Sequence, residues 1–125
     1  MILDTNALSD FLAKNPQVRL LVEAAPLLTV PVIVLGEYQF GLRSSFKRVR
    51  LEFDLSELLR DTQVLDIDVQ TVPNYADIRH ELKSRGRPIP ENDLWIAALA
   101  RQHGLPVLTR DAHFDAVQGL KRLAW

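Results

Sequence analysis

The sequence contains no cysteine. Disulfides and thiolate metal sites are therefore excluded, and any bound metal must be held by oxygen or imidazole ligands. The absence also fits a reducing compartment. No apolar run approaches the length of a membrane span. The opening residues, Met1-Ile2-Leu3-Asp4, lack the charged region and apolar stretch of a secretory signal, so a cytoplasmic location with no membrane partner is expected. There is no internal repeat, low-complexity tract or linker, and the seven prolines and five glycines are scattered as punctuation. A charge excess is missing too: 15 basic residues face 16 acidic ones, for a net charge of −1. Nucleic-acid binders are often strongly basic, so the total alone argues against one. The total misleads if acids are committed to metal: setting four carboxylates aside leaves +3 on the rest of the chain, from −1 overall.

What is present is an ordinary globular composition. The 125 residues are 47% hydrophobic and 25% charged, which suits one domain over residues 1–125 with one core. Ile2-Leu3 reads as a first strand that stops at Asp4-Thr5-Asn6, residues suited to a helix cap. A helix is expected over Ala7 to Lys14 and another from Pro16 to about Ala25. Leu27 to Val30 is a short strand, after which Pro31 opens an apolar helix reaching Leu42. Phe46 to Asp61 is amphipathic, with Lys47, Arg50, Asp54, Glu57 and Asp61 on one stripe and Leu51, Leu55, Leu58 and Leu59 off it.

Gln63 to Ile67 is a strand. The next helix starts between Asp68 and Val72, the later start being favoured by Pro73, with Val72, Tyr75, Ile78 and Leu82 as its buried stripe and Gly86 as its left-handed end. A stiff Arg87-Pro88-Ile89-Pro90 connection leads to a helix over Glu91 to His103 that is apolar all round from Leu94 to Ala100, a sign of burial between layers. Gly104 ends it, Leu105 to Thr109 is a buried strand, and Leu120 to Ala124 an edge strand. Alternating strands and helices imply an α/β fold, a three-layer sandwich with a central, mainly parallel sheet. Sites in such folds lie beyond the C-terminal ends of the strands, where Asp4 and Asp111 both fall.

Four acids stand out, and each has an ordinary structural role available. Asp4 suits a helix cap, worth roughly 1 kcal/mol. Asp111 suits a turn, with Asp115 a competitor for the same position. Asp93 suits the first turn of a helix, where it meets the positive end of the dipole, although Glu91 and Asn92 serve that role equally well. Glu37 is the most informative, because its apolar neighbours from Val32 to Leu42 predict a mostly buried helix. A lone buried carboxylate is costly unless a cation relieves it. Gly36 and Gly41 in the same helix are unfavourable by about 1 kcal/mol each relative to Ala, and small residues there would let other groups approach closely. Jointly the four acids make an oxygen-only ligand set for Mg²⁺ or Mn²⁺, ions that activate water and offset charge in phosphodiester cleavage.

Asp4-Thr5-Asn6, Glu37 with Gly41, Asp93 before Ile96-Ala97-Ala98, and Thr109-Arg110-Asp111 before Phe114 resemble the PIN-domain nucleases. The likeness is to the VapC ribonuclease toxins of bacterial toxin–antitoxin pairs, and it extends from Met1 to the last strand. It implies a parallel sheet sandwiched by helices and an acidic pocket for one or two Mg²⁺ or Mn²⁺ ions. It also implies an endoribonuclease, often acting on structured RNA such as tRNA. Asp4, Glu37 and Asp93 match the metal-binding acids, Asp111 matches the more variable fourth, and Thr5, Asn6 and Thr109 match supporting positions. A cognate antitoxin and a homodimer are implied as partners. One departure is Pro31-Val32-Ile33, where relatives often carry Ser or Thr.

RNA needs a positive rim around an acidic floor. Arg43, Lys47, Arg48 and Arg50, in a stretch free of acids, and Arg110 beside Asp111 are the candidate RNA contacts, and Arg79, Lys83, Arg85 and Arg87 form a further group. His80, His103 and His113 show no pairing and read as surface residues. Two alternatives stand beside the nuclease. A metal-dependent phosphohydrolase acting on a small phosphate ester would use a similar pocket, but no glycine-rich phosphate loop or catalytic lysine is evident. A non-catalytic RNA- or protein-binding module would not need all four acids.

Overall fold

A computed structural model describes residues 1–125. Five short strands, β1 (Ile2–Leu3), β2 (Thr29–Pro31), β3 (Gln63–Leu65), β4 (Val107–Leu108) and β5 (Arg122–Leu123), form one sheet in the order β3-β2-β1-β4-β5. Every pairing is parallel. β1, β2 and β4 are buried along their whole length, as strands covered on both faces must be. Backbone bonds join them: Ile2 donates to the Pro106 carbonyl at 2.8 Å, Thr29 to Met1 at 2.9 Å, and Asp4 to Leu108 at 3.2 Å.

The crossovers carry six helices: α1 (Thr5–Leu12), α2 (Pro16–Ala24), α3 (Val32–Leu42), α4 (Arg48–Leu59), α5 (Thr71–Ser84) and α6 (Glu91–His103). From β1 the chain walks outward through β2 and β3, then returns to the other side of β1 for β4 and β5. Right-handed crossovers with that reversal put α1 to α4 on one face of the sheet and α5 and α6 on the other. The predicted three-layer α/β sandwich is what forms. The walk reverses between β1 and β4, so a crevice opens beyond their C-terminal ends, and Asp4 and Thr109 are the residues that follow them.

Local chemistry sets the boundaries. The Asn15 side chain accepts from the amides of Gln17 and Val18 and caps α2, which begins at Pro16. Asp68 caps the start of α5 through the amides of Gln70 and Thr71, so Pro73 falls in the first turn, where its missing amide costs nothing. Gly104, with φ 63°, closes α6. Twenty-six buried apolar residues form one core, and Leu94, Ile96, Ala97, Ala98, Leu99 and Ala100 of α6 all belong to it. Phe114, fully buried in a 3-10 turn over Ala112–Ala116, anchors the segment that carries Asp111.

Several expectations need correction. α1 begins at Thr5 rather than Ala7, because the Asp4 carboxylate accepts from the Thr5 amide and caps the helix there. The helix containing Glu37 is only half buried: Val32 is 43% and Phe40 79% exposed, and just Val34, Tyr38 and Leu42 are buried. Layer packing on one side overrides the apolar composition. Nothing lies within 4 Å of a Cβ built at Gly36 or Gly41, so neither glycine admits a close approach. In α5 Val72 is half exposed, and Thr71 takes its place in the buried stripe with Ile78 and Leu82.

Candidate functional site

Beyond the C-terminal ends of β1 and β4 lies a cleft of about 410 Å³ with no hydrophobic lining, formed by Asp4, Thr5, Asn6, Ser9, Asp10, Glu37, Asp93, Arg110 and Asp111. A slightly larger cavity of about 450 Å³ lies between α5 and the Arg87–Pro90 connection. It holds no cluster of acids, so the chemistry points to the smaller one.

Asp4 is the centre of the site. It is 4% exposed. Its Oδ1 accepts from the Thr5 amide at 2.7 Å, and its Oδ2 accepts from the Thr109 hydroxyl at 2.7 Å and from Asn6 Nδ2 at 3.2 Å. Burial pushes its carboxyl above the usual range, and the Glu37 and Asp111 charges add to that against the hydrogen bonds of Thr109 and Thr5. Asn6 joins the two strand ends: its Nδ2 also reaches Thr109 Oγ1 at 3.2 Å, and its Oδ1 accepts from the Arg110 amide at 3.1 Å. Thr109 Oγ1 in turn accepts from the Asp111 amide at 2.9 Å. The three supporting residues predicted from sequence, Thr5, Asn6 and Thr109, all touch an acid.

Glu37 is held from two sides. Its Oε2 accepts from the Thr5 hydroxyl at 2.6 Å and its Oε1 from Asn92 Nδ2 at 2.5 Å. Asp93, one residue further along α6, has a side chain 13% exposed. Burial, with help from the Asp4 and Asp111 charges, pushes its carboxyl up to about 6, even though His113 hydrogen-bonds to it. Asp111 caps the 3-10 turn by accepting from the His113 amide at 3.1 Å.

None of Asp4, Glu37, Asp93 or Asp111 has an ion pair with lysine or arginine. Their one partner of that kind is His113, with Nδ1 2.9 Å from Asp111 Oδ1 and 3.2 Å from Asp93 Oδ2. Reading His113 as an unpaired surface residue is therefore corrected: it is exposed, but it faces the acids. Ligand atoms of Asp93, Asp111 and His113 lie within 4.8 Å of one another, a spacing that a single divalent ion can bridge. The four acids are crowded, partly buried and free of lysine or arginine partners, an oxygen-rich set that fits Mg²⁺ or Mn²⁺.

Asp115 stands outside the cleft. Its carboxylate takes two bonds from the Arg122 guanidinium, at 2.7 and 2.9 Å, which hold its carboxyl below the usual range. Asp111, not Asp115, reaches the other acids. Of the candidate RNA contacts, Arg110 lines the cleft, with a guanidinium 3.4 Å from Asp10 and stacked over Trp125 at 5.1 Å. Arg43 and Arg48 do not line it; both are turned to Glu52, at 3.1 and 2.9 Å. Lys47 and Arg50 line a separate cavity at the far end of α1. Sequence reasoning missed Asn92 as a partner of Glu37, and no spacing signals it. It also missed His113, for which the Asp111-x-His113 spacing around one capping turn was the available signal.

The sequence pattern of the PIN domain family matches residues 1–120. The chain is 34% identical over 90 residues to ribonuclease VapC5 of Mycobacterium tuberculosis, covering 70% of this chain and 67% of that protein. It is 31% identical over 131 residues to the VapC ribonuclease Y4jK of Sinorhizobium fredii, covering 96% and 93%. The crystal structure of FitAcB from Neisseria gonorrhoeae superposes with a TM-score of 0.86 at 29% identity, over 98% of this chain and 95% of that one. No helix is long and apolar enough to cross a membrane.

Proposed function

Since the chain belongs to the PIN domain family, we propose that it is a metal-dependent endoribonuclease, the toxin of a type II toxin–antitoxin pair, acting in the cytoplasm. The observation that carries this reading is the cleft itself: four carboxylates converge at the switch point of the sheet, and none of them is ion-paired with a lysine or arginine, Arg110 at the same cleft being paired with Asp10. VapC ribonucleases are among its relatives, and VapBC and FitAB complexes are among its structural neighbours. A cognate antitoxin is the expected protein partner.

Asp4, Glu37, Asp93 and Asp111 would hold one or two Mg²⁺ or Mn²⁺ ions. When bound, such ions activate water and offset negative charge on the scissile phosphate. The remaining work falls to the chain. Thr109 and Asn6 fix the orientation of Asp4, as partners of ligands do. Thr5 and Asn92 hold both oxygens of Glu37 and prevent it from rotating away. With Asp93 titrating near 6, its carboxyl is largely ionised at neutral pH and is available to a cation. His113 Nδ1 aligns Asp93 Oδ2 and Asp111 Oδ1 toward one point. Arg110, at the mouth, is placed to meet a backbone phosphate.

The test is cleavage of total RNA by the purified protein with Mg²⁺ or Mn²⁺ and with EDTA, beside Asp4→Asn. Discrete fragments that need metal and vanish in the variant are expected. Metal binding without cleavage of any RNA would instead make the chain a non-catalytic module. Turnover of a small chromogenic phosphate with none of RNA would make it a phosphohydrolase.

A further inference from the structure

Three cavities lie side by side along α1. The acid cleft shares Thr5, Ser9 and Glu37 with a second cavity of about 330 Å³, which shares Ala13 and Leu51 with a third of about 400 Å³. Thr5, Ser9 and Ala13 are spaced by four residues, so they line one face of α1 and its end. Their small side chains make a floor, walled by Tyr38 and Leu42 of α3 and Leu51 of α4. Eight residues of helix advance about 12 Å, more than one nucleotide spans.

The two ends of this groove differ in charge. One holds the uncompensated carboxylates. The other is lined by Lys14, Lys47 and Arg50, with Asp54 beside them. Lys14 and Lys47 make no ion pair, and Arg50 reaches Asp54 only at 3.9 Å. The neighbouring Arg43 and Arg48 are engaged by Glu52 and leave the groove unattended. An acidic peptide drawn to the cations would run toward the carboxylates and be repelled. A nucleic-acid strand also carries negative charge, but it presents phosphates to both ends: one that a cation can bridge to the acids and one that the basic residues can take directly. Between them it lays sugars and bases on an apolar wall.

We propose that this groove is a subsite for a single-stranded segment of RNA, with Lys14, Lys47 and Arg50 holding backbone phosphates at one end and the acid cluster addressing the scissile phosphate at the other. The proposal rests on the ribonuclease reading and adds where the strand lies and what grips it. Lys14 lies just past the end of α1 and lines the basic cavity.

The experiment measures binding of fluorescein-labelled oligouridylates of increasing length by anisotropy, across a salt series in EDTA. The wild-type chain is compared with K14Q/K47Q/R50Q and with R43Q/R48Q, thermal melting confirming that each is folded. Wild-type affinity is expected to rise with length until the groove is spanned. The triple variant should lose roughly tenfold in affinity, and its salt slope should flatten by about 2, the value for three lost phosphate contacts on a single strand. R43Q/R48Q should change both much less. An equal fall in the two variants would mean general attraction to a basic surface and would overturn the proposal. Unchanged binding in the triple variant, with or without a weaker hold on a partner protein, would overturn it as well. Cleavage of total RNA by the wild-type chain with Mn²⁺ is scored separately. Cleavage with no binding difference removes the groove and keeps the nuclease, whereas a binding difference without cleavage does the reverse.

Discussion

The two ends of α6 carry charge in opposite circumstances. In its last turn Arg101 meets Glu81 through two nitrogens, at 3.2 and 3.1 Å, and donates to the Gln118 carbonyl at 3.0 Å. Arg101 holds the Glu81 carboxyl below its usual range. In its first turn Asp93 meets Asp4 and Asp111, and burial with their charges pushes it up to about 6. Both placements suit the helix dipole, so the dipole does not explain the difference. The sign of the neighbours does. At one end the chain supplies its own counter-charge, and the result is structure. At the other it gathers acids and pairs them only with a histidine, which leaves the rest of the compensation to protons or to the proposed cation.

Four experiments sharpen or break this contrast. The largest effect is expected from Asp93→Asn. It removes a carboxylate from the proposed metal set, and several kcal/mol of transition-state stabilisation corresponds to a fall of roughly a thousandfold in metal-dependent RNA cleavage, read by gel. Retained activity would show that the acidic end of α6 is ordinary. Next come the residues that only orient the acids. Thr109→Val or Asn92→Ala should weaken Mn²⁺ binding by roughly 10- to 100-fold in calorimetry while leaving a folded chain.

The third concerns pH. Asp93 titrates at about 6 when folded, against 3.8 as its ordinary value. Between those values the folded, metal-free chain keeps a proton that the unfolded chain has lost. This contribution to stability is full below the lower value and is lost as pH rises to the upper one. Urea denaturation should therefore show metal-free wild type losing stability with rising pH over that window relative to Asp93→Asn, and Mn²⁺ should restore it above pH 6. A wild-type profile parallel to the variant's would contradict the crowding of acids. The smallest effect is expected at the other end: Arg101→Gln should cost about 1 kcal/mol of stability, since the pair is partly exposed, and leave Mn²⁺ affinity untouched.

The fold was readable because parallel α/β proteins announce themselves by alternation. Every strand and helix expected from pattern exists, with ends shifted by a few residues. The last buried strand proved shorter than its apolar run, Leu105 to Thr109 contracting to Val107–Leu108, although the Pro106 carbonyl and the Thr109 amide still bond to the neighbouring strands. Burial was harder to read. The apolar stretch from Val32 to Leu42 looked internal, yet a helix in an outer layer can hide only one side, and Phe40 faces solvent. Asp4 and Asp111 were legible as strand-end residues, Asp93 as a helix-start residue and Glu37 as an acid inside an apolar helix. Their partners were less so. Asn92 gains meaning only from a contact across 55 residues of sequence, which no local spacing encodes, and His113 had a local signal only for Asp111, its contact with Asp93 spanning 20 residues. The basic stretch from Arg43 to Arg50 read as one patch, and only the structure separates the side chains that Glu52 holds from those that line the groove.

The most direct measurement is a calorimetric titration of Mn²⁺ into wild-type, Asp93→Asn and Arg101→Gln proteins at neutral pH. Tight binding by wild type and Arg101→Gln, with at least a tenfold loss in Asp93→Asn, is the predicted result. Equal binding in all three, or none in wild type, would mean that the acids at the start of α6 do not await a cation.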